Sequence, residues 1–397
     1  MADTDNAAID NRHGGARLGV CALFLANGFT AGLWSVFVPV VQRNLGIGES
    51  DMGLLILIGA SAGFVGLMLS GLLVGRMGSR VVATVSGIIL APGLLLLSLA
   101  SEFEVAVAIF VLFFIALSVM DVAMNANGAE AERLIGKAVM SSFHGFWSMG
   151  GMLGAASGGF LLAGFGQSGV TTASMAACLF LTLLAFPFLI RDAESSNAPA
   201  TVMPGLGGIR RFRLPGNGMI YIFGLFALAA FTAEGSVIDW GALFLRKEMQ
   251  ADVEFSGFAF AGFSTAMMLS RFSGDAINRR FGAFRLLQWS SLLAIAGFLV
   301  AGLGTSLAVV VAGFLIAGLG CANIVPIAFS AASNVPGVKP GTGIAIATMF
   351  GYFGLLCAPA LLGRVGEAYG FRPVYAGFGV VMMLVFVAAT WLRRHRT

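Results

Sequence analysis

Charge is what this sequence lacks. Only 11% of its 397 residues are Asp, Glu, Lys or Arg, against roughly 25% in soluble domains. A soluble chain of this length could not hide the 58% of residues that are hydrophobic, so a water-soluble protein is excluded and a membrane protein is expected. The net charge of +4 carries no basic stripe, and no nucleic-acid partner is expected. Cysteine is also scarce: Cys21, Cys178, Cys321 and Cys357 all lie in apolar segments without a CxxC pair, which reads as buried, inert thiols rather than a disulfide framework or metal site. A Walker phosphate loop, a Rossmann glycine fingerprint, zinc-ligand spacing and a nucleophile elbow are all missing from the sequence. That disfavours an ATP-driven pump and an enzyme, and no cofactor is implied.

What the chain has is apolar length. A helical span needs about 20 mostly apolar residues, and twelve such segments fall at approximately 18–41, 52–74, 81–100, 104–126, 138–163, 171–190, 218–244, 255–275, 284–303, 306–330, 341–363 and 371–392. The expected fold is all-α, with twelve transmembrane helices in two six-helix pseudo-symmetric halves. Residues 1–190 form the first half and 218–397 the second. Between them, 191–217 reads as a flexible linker rich in Ser, Pro and Gly. The first apolar run is too long for a signal-peptide core and is read as a retained span. Of 23 Lys and Arg, only Arg43, Arg246, Lys247, Arg364 and Arg372 fall on one side. The excess on the other side places both termini and the linker in the cytoplasm, and the expected home is a bacterial inner membrane.

The halves echo each other. Phe29-Thr-Ala-Gly32 in span 1 matches Phe231-Thr-Ala-Glu-Gly235 in span 7, and Gly145-Phe-Trp147 matches Gly351-Tyr-Phe353. The turn Gly71-Leu-Leu-Val-Gly-Arg-Met-Gly-Ser-Arg80 matches Asp275-Ala-Ile-Asn-Arg-Arg-Phe-Gly282, aligning Arg76 with Arg280 and Gly78 with Gly282. A parallel internal repeat enclosing a midplane site is a transporter architecture.

With these features the sequence resembles the major facilitator superfamily, whose signature loop between spans 2 and 3 usually reads Gly-x-x-x-Asp-Arg-x-Gly-Arg-Arg. This chain departs from it: Gly75 stands where the aspartate is expected, and Asp275 sits one turn earlier than the usual acid of the second half. Further stretches resemble the MosC-like (rhizopine permease-like) branch and, more distantly, fucose-permease-type sugar transporters. They are Asn27-Gly-Phe29, Gly32-Leu-Trp34, Asp121-Val-Ala-Met-Asn125, Ser142-Phe-His-Gly-Phe-Trp-Ser148, Glu234-Gly-Ser-Val-Ile-Asp-Trp240 and Gly320-Cys-Ala-Asn-Ile-Val-Pro326. The resemblance implies a small polar solute, sugar- or cyclitol-like, moved by a monomeric carrier in the lipid bilayer. It also implies a gate at Arg76, Arg80, Arg271, Asp275, Arg279 and Arg280, with Asp275 approaching the start of span 5 near Gly136 and Lys137.

Ionisable groups inside apolar spans are expensive and mark pathways. Asp121 in span 4 and His144 in span 5 fall at similar depth. They form either a proton-accepting pair or a static bond locking two helices. Glu234 in span 7 is a second proton or substrate candidate. Asp239, five residues on, does not share its face and reads as an outer gate beside Trp240. Asn27 and Trp34 share a face of span 1, and an amide with an aromatic platform suits a sugar-like ligand; packing and an interfacial role for Trp34 are the alternatives. Asn125, one turn from Asp121, and Asn323 at equivalent depth in span 10 face either substrate or a neighbouring helix. Trp147 and Tyr352, from equivalent spans 5 and 11, either cap a central cavity or fill the core. Pro326 predicts a kink in span 10.

The expected activity is therefore secondary transport coupled to protons. A drug exporter would suit a mainly apolar cavity, and a sensor would add a soluble signalling domain. The topology has a direct check. In a cysteine-free background, Ser196→Cys is expected to resist an impermeant thiol reagent added outside intact cells; efficient labelling would overturn the orientation.

Overall fold

The structure, a computed structural model, describes residues 2–137, 139–191, 216–338 and 340–395. The side chains of 2–13, 274–276, 278, 279, 340, 341 and 395 lie outside that description, as do Lys339 and 192–215 of the expected linker. Thirteen helices follow in order: α1 Ala2–Leu45, α2 Glu49–Met77, α3 Ser79–Leu90, α4 Gly93–Leu99, α5 Phe103–Ile135, α6 Met140–Ala185, α7 Met219–Lys247, α8 Phe258–Phe281, α9 Ala283–Leu303, α10 Leu307–Cys321, α11 Ile324–Ser333, α12 Pro340–Tyr369 and α13 Arg372–His395. No strand occurs among the described residues.

Helices and spans do not map one to one, and local chemistry explains each mismatch. α3 and α4 are one span broken at Ala91 and Pro92, where proline brings no N–H to the ladder. α10 and α11 are likewise one span, interrupted at Ala322 and Asn323, with Pro326 in the first turn of α11. The expected break is present, a few residues before the proline. α6 is the reverse case. Its 46 residues would reach about 69 Å, more than twice a hydrocarbon core of about 30 Å. Gly166 divides it at φ 65° and ψ −163°, making two antiparallel spans.

The internal repeat has a backbone counterpart. Gly78 caps α3 at φ 81° and ψ 152°, and Gly282 caps α9 at φ 83° and ψ 153°. Both turns need a positive φ that side chains with a Cβ resist.

α1 and α7 run through the middle of the molecule, with 83% and 67% of their most apolar windows buried. α1 owes its burial to α6. A Cβ on Gly28 would run into the Trp147 carbonyl, one on Gly32 into the Gly151 carbonyl, one on Gly150 into Leu25 O and one on Gly154 into Phe29 O. The two backbones touch along four successive small-residue positions, the kind of contact that drives association where lipid removes the hydrophobic effect. Gly150→Val is therefore expected to cost about 1–3 kcal/mol or more, the range for overpacking. Thermal unfolding in detergent measures it, and an unchanged midpoint would show the seam to be looser than described.

Candidate functional site

The two ends of the bundle are distinguished here as the terminal end, where α1 starts and α13 stops, and the far end. The far end is closed between the two halves in layers. Outermost, Lys247 at the end of α7 pairs with Glu49 in the first turn of α2. Beside it, Glu367 of α12 accepts from the Ser50 backbone N–H at 2.7 Å, so a carboxylate from one half caps a helix of the other. The same α2–α12 seam is tight enough that a Cβ on Gly53 would meet Pro359 O at 2.7 Å. Deeper, Trp34 of α1 donates from Nε1 to Asp239 Oδ1 of α7 at 3.1 Å, both residues buried. Phe160 of α6 closes on Phe255 and Phe258 beside them.

Contacts between the halves thin out toward the terminal end. They continue down the α6–α8 seam, where Ser264 Oγ donates to Ser148 O at 2.9 Å and Ser141 Oγ to Arg271 O at 3.0 Å. Among the described residues no hydrogen bond or ion pair joins α5 to α11.

A charged network occupies the middle. Glu234 stands 15 residues into α7 and Arg271 13 residues into α8, each close to the centre of its span. Arg271 Nη2 lies 3.7 Å from Glu234 Oε1, and the two side chains are 16% and 11% exposed. Arg271 Nη1 crosses to the first half, donating to Ser148 Oγ at 2.6 Å and reaching His144 O at 3.5 Å. Arg271 was expected in a gate at the terminal end; the structure sets it deeper, as a bridge between halves. A charged pair so deep must be compensated, and Glu234 and Ser148 provide that.

Asp121 and His144 are not joined. Asn125 Nδ2 donates to Asp121 O at 2.8 Å and to Asp121 Oδ1 at 3.3 Å. Across the gap between halves, Asp121 lies within electrostatic reach of Tyr352, whose ring stacks on Phe231. The His144 ring turns instead to Phe24, centroids 5.3 Å apart and edge-on, and lies within reach of the Arg271 charge. Asp121, Asn125, His144, Trp147, Asn323 and Tyr352 are all half-buried.

The amide and indole candidates divide. Asn27 Oδ1 accepts from Trp147 Nε1 at 2.9 Å, a tie across the α1–α6 seam, while Asn27 Nδ2 is sealed without a partner. Trp34 is no open platform: it is 3% exposed, packed on Phe110 and committed to Asp239. Asn323 donates to Ser270 Oγ at 2.9 Å within its own half. Arg76 and Arg280 are exposed at their turns. Arg80 lies over the Phe186 ring, 4.0 Å from its centroid. The side chains of Asp275 and Arg279 are outside the described residues. Ser148, Glu49, Lys247 and Glu367 were not among the expected site residues; the last three stand at helix ends beyond the apolar stretches, where charge is expected whatever its use.

The sequence matches the Major Facilitator Superfamily over residues 19–299 and 222–397. It is 32% identical over 377 residues to the uncharacterized transporter y4wD of Sinorhizobium fredii, covering 95% of this chain and 98% of that protein. It is 28% identical over 374 residues to the membrane protein MosC of Rhizobium meliloti, covering 94% and 89%. A mutant of the nucleoside transporter NupG has the same fold, with TM-score 0.77 at 16% identity over 94% of this chain and 99% of that one.

The far-end layer has a measurable weight. An ion pair of this exposure is worth about 0.3–1 kcal/mol, and the exposed Glu367 carboxylate adds a helix-capping contact beside it. Removing both in Lys247→Met/Glu367→Gln is expected to raise the population open at the far end about two- to fivefold. In a background lacking other cysteines, faster alkylation of a cysteine at Ala358, below the layer, reads the shift. An unchanged rate would mean that Trp34–Asp239 alone holds the closure.

Proposed function

Because this chain belongs to the major facilitator superfamily, we propose that it is a secondary active transporter carrying a small polar solute, sugar- or cyclitol-like, by alternating access with proton coupling. That it is a multi-pass membrane protein of transporter type follows from the family; the solute, the coupling and the direction are the proposal. The observation that carries it is the placement of charge. Asp121, Glu234 and Arg271 lie at mid-depth in a bundle otherwise almost free of charge, and the outer ion pair, the helix cap and the indole–carboxylate bond between the halves all lie on the far side of them. With the basic residues setting the terminal end in the cytoplasm of a bacterial inner membrane, the structure corresponds to a state closed to the outside. The amides and acids around the gap favour a hydroxyl-rich solute over a hydrophobic drug.

Two acids are available to carry protons. Asp121 has no cationic partner among the described residues, so only a donated amide offsets its charge. Glu234 already has Arg271. A neighbouring guanidinium favours the charged form of a carboxylate, which makes Glu234 the poorer proton carrier and Asp121 the first choice. His144 modulates through Arg271 rather than through Asp121. Asp239, bonded to Trp34, belongs to the outer closure.

The test is uptake into proteoliposomes of a solute identified from a panel of sugars and cyclitols. Asp121→Asn is expected to abolish accumulation driven by a pH gradient and to leave downhill exchange partly intact. Full gradient-driven accumulation in both Asp121→Asn and Glu234→Gln would refute carboxylate coupling.

A further inference from the structure

Arg271 is more than Glu234 requires. A guanidinium presents five N–H donors in a planar fork suited to two-point recognition of a carboxylate. Here one arm is used across the halves, Nη1 to Ser148 Oγ and His144 O. The other arm, Nη2, is 3.7 Å from Glu234 Oε1, beyond hydrogen-bond distance. Neither Nη2 nor Nε has a hydrogen bond among the described residues, and neither is among the atoms sealed from solvent without a partner. Both therefore keep part of the residual exposure of this side chain, 16% in all. A deep charge pair held by position alone, with no direct hydrogen bond, recovers little of the cost of desolvating it.

We propose that Arg271 is the recognition group for a carboxylate carried by the solute, with Glu234 as the resident counter-ion that the solute displaces. This rests on the transport reading and narrows it: the solute is a hydroxylated acid, such as a sugar acid or cyclitol acid, rather than a neutral polyol. A solute carboxylate that hydrogen-bonds Nε and Nη2 together gives the two-point geometry that Glu234 does not. Because Arg271 also holds Ser148 on the opposite half, a solute bound to it touches both moving parts.

The experiment uses full-length protein in nanodiscs and two matched pairs of probes: D-glucuronate against D-glucose, and quinate against myo-inositol. Thermal stabilisation reports binding to the folded state. The expected result is that at least one acid stabilises the wild type at concentrations where its neutral partner does not. Arg271→Gln should weaken that acid tenfold or more, the loss of a charge-assisted hydrogen bond. Glu234→Gln should strengthen it threefold or more by removing the competitor. A purely structural ion pair predicts the opposite for Glu234→Gln: lower stability and no gain in acid binding. If Arg271→Gln alone does not fold, Glu234→Gln/Arg271→Gln removes both charges together and should fold without acid preference.

Equal or better stabilisation by the neutral partners, no stabilisation by either acid, or an undiminished acid response without Arg271 would each overturn the proposal. Uptake into proteoliposomes separates the two readings. Neutral solutes moved equally well by wild type and Arg271→Gln would sink this inference alone, while movement of neither charge class would sink the transport reading beneath it.

Discussion

The backbone contact between α1 and the first part of α6 is the constraint from which the rest of the interior follows. In a bilayer the helices satisfy their own backbone groups, and close approach comes from small side chains rather than expelled water. Gly28 and Gly32 on one helix face Gly150, Gly151 and Gly154 on the other. That embrace fixes the rotation of α6, and with it three polar side chains on neighbouring turns. Trp147 points back to Asn27, His144 lies against Phe24, and Ser148 points across to Arg271. A wider spacing at the seam would turn all three.

Charge in the interior is arranged by depth and by partner. The Glu234–Arg271 pair and Asp121 with its amide sit at mid-depth, and Asp239 is tied to an indole toward the far end. Each has a different means of offsetting its desolvation: an opposite charge, a donated amide or an indole N–H. The three acids are consequently not interchangeable, and the bundle can assign them different tasks.

Much of this was legible in the chain before any coordinates. Apolar length and the sparse charges fixed the spans, and the short matches around Gly78 and Gly282 announced a repeat that the backbone repeats to within 2° in φ and 1° in ψ. Asp121, Glu234, His144 and Asp239 stood out because ionisable residues in apolar runs are rare. Pairing was not legible. Helical periodicity says which residues share a face but not how a helix is rotated against a neighbour far away in sequence. Arg271 therefore read as a gate residue beside Asp275, and Trp34 as a candidate binding platform, although a partner 205 positions away claims it. The α6 division was legible only as two apolar stretches, since a single glycine torsion makes the turn.

The Glu367 cap gives the far-end closure an unusual character. The bond ends on the backbone of Ser50 at the start of α2, so separating the halves strips a helix end of its acceptor. Water takes over that acceptor role at an exposed helix terminus, and does the same for the carboxylate. Opening also wets Trp34 and Asp239, which are buried when the end is closed, so the two states differ in how much water they hold. Excluded osmolytes favour the state with less wetted surface, which makes the osmolarity of the medium at the far end a force on the balance between the two states, independent of solute and of any ion gradient.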